Sequence, residues 1–172
     1  MKQILLVVGT RPNLVKAAAL LAAMDGDGRF KIRFVHTGQH FDDNMSDAFF
    51  RDLCMRAPDR HLGVRAGSEV EQIAQILVAL EAEMRQNRPD WMVVVGDVTS
   101  TLAAALAANK LAIPLAHVEA GLRSFDREMP EEINRRITDS LSDLLFTTCR
   151  DAYENLLREG IAAERIHFVG NV

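Results

Sequence analysis

The chain has 172 residues, of which 48% are hydrophobic and 26% charged, enough for one domain with a sizeable core. A formal net charge of -4 argues against a nucleic-acid-binding domain, which usually carries a basic stripe. No apolar run approaches the length of a membrane span, and the first run ends at Val8, too short for a signal-peptide core, so a cytoplasmic protein without a membrane partner is expected.

Ile4–Val8 is a continuous apolar run, the pattern of a strand buried on both faces. Gly9-Thr10-Arg11 turns, and Pro12 can take the first helical position, where its missing N–H costs nothing. An Ala/Leu-rich helix over Pro12–Met24 ends at Asp25-Gly26-Asp27-Gly28, whose D-x-D look reads as a solvated turn rather than a metal ligand. Lys31–His36 is the second strand, after which Thr37-Gly38-Gln39-His40 turns into a helix through about Leu53. Arg56 to Gly67 reads as irregular, and Ser68 as the cap of a helix over Glu69–Gln86. Trp91–Val95 is a buried strand, Thr99–Ala112 an Ala-rich helix and Pro114–Val118 another strand. A polar loop over Leu122–Met129 leads to a helix opened by Pro130 and running towards Leu141. A strand over Leu144–Thr147, a helix over Arg150–Glu159 and a strand over Ile166–Val169 complete the chain. Cys54 and Cys149 lie far apart without metal-ligand spacing and are expected to be reduced core thiols.

Strands alternating with helices imply a doubly wound, mostly parallel α/β sheet forming a single domain over residues 1–172. In such sheets ligands bind beyond the carboxyl ends of the strands. Arg11, Gln39 with His40, Asp97 and Glu119 all follow strands, which favours a ligand site at that edge. No G-x-G-x-x-G, P-loop or G-x-S-x-G motif occurs, so neither a dinucleotide cofactor nor those enzyme classes are expected. His36 and His40 straddle a turn, and no metal is expected there.

At Gly9–Lys16, a helix N-terminus, the Arg11 guanidinium and the Lys16 ammonium would suit an anion, but a helix start with surface cations explains the segment equally well. Asp97 is either a helix cap or a carboxylate beside Arg11, and spacing does not separate the two. Glu119 follows an apolar strand directly, where partial desolvation suits it to general acid or base work. Pro130-Glu131-Glu132 with Arg135 and Arg136 reads, on residue types alone, as a solvated helix start with two i,i+4 pairs.

Taken together, GTRPNLVK (Gly9–Lys16), TGQH (Thr37–His40), GDVTST (Gly96–Thr101), HVEAGLR (His117–Arg123) and MPEEINR (Met129–Arg135) resemble, in order, the non-hydrolysing UDP-N-acetylglucosamine 2-epimerases. NLLREG (Asn155–Gly160) and VGN (Val169–Asn171) extend the resemblance to the end of the chain. It implies the Rossmann-like N-terminal half of a two-domain GT-B-type fold, with a C-terminal UDP-binding domain outside these residues. Many members have Glu where this chain has Asn13, and no catalytic role is assigned there.

The resemblance further implies interconversion of UDP-N-acetylglucosamine and UDP-N-acetylmannosamine by elimination and re-addition of UDP, without a cofactor. Asp97, Glu119 and Glu131 are then the acid/base candidates, and Arg11, Lys16 and Arg135 the substrate-binding cations. Gln39 and His40 match a region associated with a second, regulatory UDP-N-acetylglucosamine. A homodimer serving surface polysaccharide synthesis is expected, and the 172 residues alone are expected to fold but be nearly inactive. The competing readings are a hydrolysing epimerase, a GT-B glycosyltransferase and a non-enzymatic UDP-sugar-binding module.

Overall fold

The computed structural model describes residues 1–38, 50, 53–64 and 67–171. Among the described residues seven parallel strands form one sheet: β1 (Lys2–Val8), β2 (Phe30–His36), β3 (Arg60–His61), β4 (Trp91–Val95), β5 (Leu115–Ala120), β6 (Leu144–Thr147) and β7 (Ile166–Phe168). The described helices are α1 (Arg11–Asp25), α2 (Glu69–Gln86), α3 (Thr99–Lys110), α4 (Pro130–Leu141) and α5 (Arg150–Arg158), with a short 3₁₀ turn at Ala163–Arg165. The strand order is β3-β2-β1-β4-β5-β6-β7. Strand order therefore reverses between β1 and β4, the position at which such sheets open a crevice.

Alternation along the strands builds two cores. Leu5, Val7, Met92 and Val94 point to one face and pack against Ile76, Leu80 and Met84 of α2 and the alanines of α3. Leu6, Val8, Phe34, Val95 and Val118 point to the other, against Leu14, Ala17 and Leu21 of α1. Because β4–β5, β5–β6 and β6–β7 all step in the same direction, right-handed crossovers put α3, α4 and α5 on a single face. Along β4, β5 and β6 the α1 face holds a groove of about 560 Å³, bordered by Ile4, Trp91, Val93, Ala116 and Phe146.

Local chemistry sets the element ends. Ser68 Oγ accepts from Glu71 N–H at 3.2 Å while Glu71 Oε2 accepts from Ser68 N–H at 2.8 Å, so the expected cap is a full capping box. Ala103, Ala104, Ala105, Ala107 and Ala108 let α3 lie close to the sheet between α2 and α4. Gly9 is a steric requirement: a Cβ there would sit 2.6 Å from Ser100 Cβ, where α3 passes the end of β1.

The structure corrects four readings. The segment read as irregular contains β3, too short at two residues to show a strand pattern. The α3 helix stops at Lys110, because Ala112 turns into the left-handed region at φ 50°. The fifth strand runs on to Ala120, two residues beyond the apolar run. Both cysteines are free, but Cys54 is exposed and Cys149 half-buried, so neither is a core thiol. Among the described residues no helix is long and apolar enough to cross a membrane.

Candidate active site at the carboxyl edge of the sheet

Each site residue owes its position to a strand end or a helix start at the reversal point. Thr10 precedes α1 without a side-chain cap, and no acid occupies the first turn, so that helix start keeps its positive end. Asn13, buried in the first turn, donates from Nδ2 to the Val95 carbonyl at 2.6 Å and fixes α1 to the end of β4. One turn further, Lys16 forms an ion pair with Glu119 at the end of β5. Arg11 stands exposed at the first position of α1, on the same edge.

Glu119 has an unusual backbone. Its φ is 72°, in the left-handed region, and the β5–β6 register shifts between Val118 and Ala120. The bulge reverses the alternation of the strand: Val118 packs on the α1 face, Ala120 with Leu145 and Leu156 on the opposite one. A non-glycine residue held there stores strain, on the order of 1–3 kcal/mol, that the surrounding contacts must hold in place.

Asp97 follows Gly96 at the end of β4. The cap of α3 is Val98, so Asp97 is not the helix cap that its position allowed. Its carboxylate is instead paired with Arg135, Nη2 to Oδ2 at 2.6 Å. Burial pushes the Asp97 carboxyl above its usual range. The charges of Glu119 and Glu131 push the same way, against the opposing pull of Arg135 and Lys16. Glu131 is exposed on the first turn of α4 and borders a cavity of about 280 Å³ together with Thr10, Val98, Thr99 and Asn134. Asp97, Glu119, Glu131, Lys16 and Arg135 thus form one electrostatic cluster.

The solvated reading of the α4 start is overturned. Glu132, Asn134, Thr138 and Asp139 are buried, whereas Ile137 is exposed, so this helix turns its polar side inward. Glu132 Oε2 accepts from Ser124 N–H at 2.9 Å and from its hydroxyl at 3.1 Å. Asn134 donates to the Asp97 carbonyl at 3.0 Å. The expected i,i+4 pairs do not form, because Arg135 turns to Asp97 and Arg136 to Glu159.

Asn13, His117, Asn134 and Asp139 are ordering residues that motif reading passed over. Glu132 and Asp139 lie seven apart on one face of α4, a signal that two acids share a buried side. Gln39 and His40 lie outside the described residues. His36 is buried and accepts from Gly38 N–H at Nδ1, 3.0 Å away. Burial, and then the neighbouring His61, lower its pKa to about 4, which keeps the ring neutral.

Sheet topology and site together define a Rossmann-like α/β domain whose strand ends carry paired acids and bases at the reversal point. The chain belongs to the UDP-N-acetylglucosamine 2-epimerase family, whose model matches residues 22–172. It is 42% identical over 171 residues to a UDP-N-acetylglucosamine 2-epimerase of Methanococcus maripaludis, covering 99% of this chain and 46% of that protein. It is 44% identical to a UDP-2,3-diacetamido-2,3-dideoxy-D-glucuronate 2-epimerase of Pseudomonas aeruginosa, covering 99% of this chain and 49% of that one. The Methanocaldococcus jannaschii UDP-GlcNAc 2-epimerase, solved in complex with UDP-GlcNAc and UDP, superposes with a TM-score of 0.95 at 43% identity, covering 98% and 46% of the two chains. The chain spans about half the length of the relatives it matches, in keeping with the expected Rossmann-like half of a GT-B-type fold.

Proposed function

We propose that the polypeptide carrying this chain is a non-hydrolysing UDP-N-acetylglucosamine 2-epimerase, and that the clustered carboxylates and cations form the sugar-facing wall of its cleft. One observation carries the reading: the Asp97–Arg135 and Lys16–Glu119 pairs converge at the reversal point, on segments that resemble the motifs of the non-hydrolysing epimerases.

The C2 proton is too weakly acidic to leave first, so departure of UDP leads. The C1–O bond breaks with its electron pair going to UDP, and loss of the C2 proton to a carboxylate forms the double bond of a 2-acetamidoglucal. Re-addition reverses both steps with the proton delivered to the opposite face of C2. Arg11, Lys16 and Arg135 supply positive charge for the departing diphosphate. Asp97, Glu119 and Glu131 exchange the proton, and the raised pKa of Asp97 suits a group that must both hold and release one. The regulatory role for Gln39 and His40, the homodimer, the cytoplasmic location, the supply of surface polysaccharide synthesis and a UDP-binding domain beyond these 172 residues rest on family resemblance alone.

Incubating the intact protein with UDP-N-acetylglucosamine in D₂O tests the proposal. Deuterium at C2 together with UDP-N-acetylmannosamine is expected, and absence of exchange overturns it. Free N-acetylmannosamine with UDP would mark a hydrolysing enzyme. The 44% identity to the diacetamido-glucuronate epimerase favours one second reading, a substrate altered at C3 and C6. Running the same assay with that UDP-sugar decides between them.

A further inference from the structure

Between the two strand-end carboxylates lies a polar network whose centre, His117 with Asp139, is buried and which reaches the surface through Glu159. His117, on β5, has a fully buried side chain, and Asp139, on α4, is 1% exposed. The ring Nε2 lies 2.7 Å from the Gly96 carbonyl, an acceptor only, so Nε2 donates. The ring Nδ1 lies 2.7 Å from Asp139 Oδ1. Asp139 Oδ2 accepts from Gly121 N–H at 3.1 Å and is paired with Arg123 Nη2 at 2.8 Å. Arg123 in turn makes a two-pronged contact with Glu159 at the end of α5, 2.9 Å from Nε and 2.6 Å from Nη2.

The placement of these contacts along the chain is what gives them a role. His117 lies two residues before Glu119 and Gly121 two residues after it, so one carboxylate grips both ends of the left-handed bulge. The Gly96 carbonyl, held by the same ring, immediately precedes Asp97. A two-residue slip anywhere in this chain of contacts would move one acid/base candidate relative to the other.

We propose that His117 and Asp139 are positioning residues, a hydrogen-bonded unit that sets the separation of Asp97 and Glu119 without touching substrate. The inference rests on the epimerase reading for its activity readout. Burial alone would raise the Asp139 carboxyl, but His117 first and then Arg123 hold it below its ordinary range, so it stays an acceptor for the Gly121 N–H and for Arg123. A structural role alone would need only bulk and a satisfied carboxylate. The positioning role needs the particular bond from Nε2 to Gly96.

The test compares His117→Phe, which fills the ring volume but breaks both bonds, with His117→Gln, whose amide nitrogen can reach the Gly96 carbonyl as Nε2 does. C2-deuterium exchange is measured on the intact protein. Expected is a kcat loss on the order of 10²-fold for His117→Phe, KM changed less than about threefold, and recovery of most of kcat in His117→Gln. Equal kcat for both variants and wild type overturns the proposal, as does a loss that tracks the folded fraction and is not recovered by Gln. Should His117→Phe fail to fold, Asp139→Asn with ¹⁵N NMR of the Gly121 amide and the His117 ring gives the second handle. A shifted Gly121 amide with a changed ring protonation pattern supports the coupling, and unchanged signals overturn it. Inactive wild-type protein would sink the epimerase reading instead, and the NMR arm would still decide the network.

Discussion

Arg135 Nη2 lies 2.6 Å from Asp97 Oδ2, so a cation carried by α4 sits on the carboxylate that ends β4. Removing it in Arg135→Met leaves the half-buried Asp97 beside Glu119 and Glu131 with only Lys16 in opposition. The Asp97 pKa then rises further, and the acidic limb of the kcat/KM profile moves to higher pH. A rate loss on the order of 10²-fold is expected at neutral pH. An unmoved acidic limb would separate Arg135 from the ionisation of Asp97.

Because the folded pKa of Asp97 is raised, the native state holds this proton more tightly than the unfolded chain does. Stability from this group is therefore fully present below the unfolded value of 3.8 and is lost as pH climbs through the folded pKa. Asp97→Asn removes that loss. Its Tm should exceed wild type at pH 7 by roughly 2 °C, and the gain should disappear below about pH 3.8, as read by calorimetry across pH. The same variant loses exchange activity by ~10²–10⁴-fold.

Glu119 at φ 72° separates backbone needs from side-chain chemistry. Asparagine tolerates this conformation and valine does not. Glu119→Val should therefore be less stable than Glu119→Asn by about 1–2 kcal/mol in urea unfolding, with both variants inactive in C2 exchange. Equal midpoints would show that the bulge relaxes at no cost.

Gly9→Ala places a methyl 2.6 Å from Ser100 Cβ, and α3 must shift to admit it. A loss of about 1–3 kcal/mol is expected. Ser100→Gly opens the space, so the double-mutant cycle should return a favourable coupling of at least about 0.5 kcal/mol. Simple additivity would place the strain elsewhere.

Sequence patterning sufficed where hydrophobic periodicity or a cap decides the element. The buried runs at Ile4–Val8 and Trp91–Val95 became central strands, and Ser68 opened α2 as read. Patterning lost ground where a distant segment supplies the partner. Asp97 could be a cap or a site residue until α4 was seen to bring Arg135 to it. The α4 start looked solvated because nothing in Pro130–Arg136 announces that Ser124 folds back onto Glu132. The end of β5 was placed two residues early because a bulge has no compositional mark of its own, and Glu119 is not the glycine that a positive φ suggests. The motif order gathered Lys16, Asp97, Glu119, Glu131 and Arg135, whereas the network behind them needed three-dimensional contacts to be visible.

The inverted helix α4 has a consequence for anyone redesigning this domain. A stabilisation protocol that swaps buried polar residues for aliphatic ones would begin with Glu132, Asn134, Thr138 and Asp139. Swapping Glu132, Asn134 or Asp139 would fill the interior with apolar bulk while cutting a tether between α4 and the end of β4 or β5. The more successful such a redesign became as a folded object, the less of the chemistry it would retain. Freezing Glu132, Asn134 and Asp139, and placing substitutions on the outward Ile137 side, keeps the two goals apart.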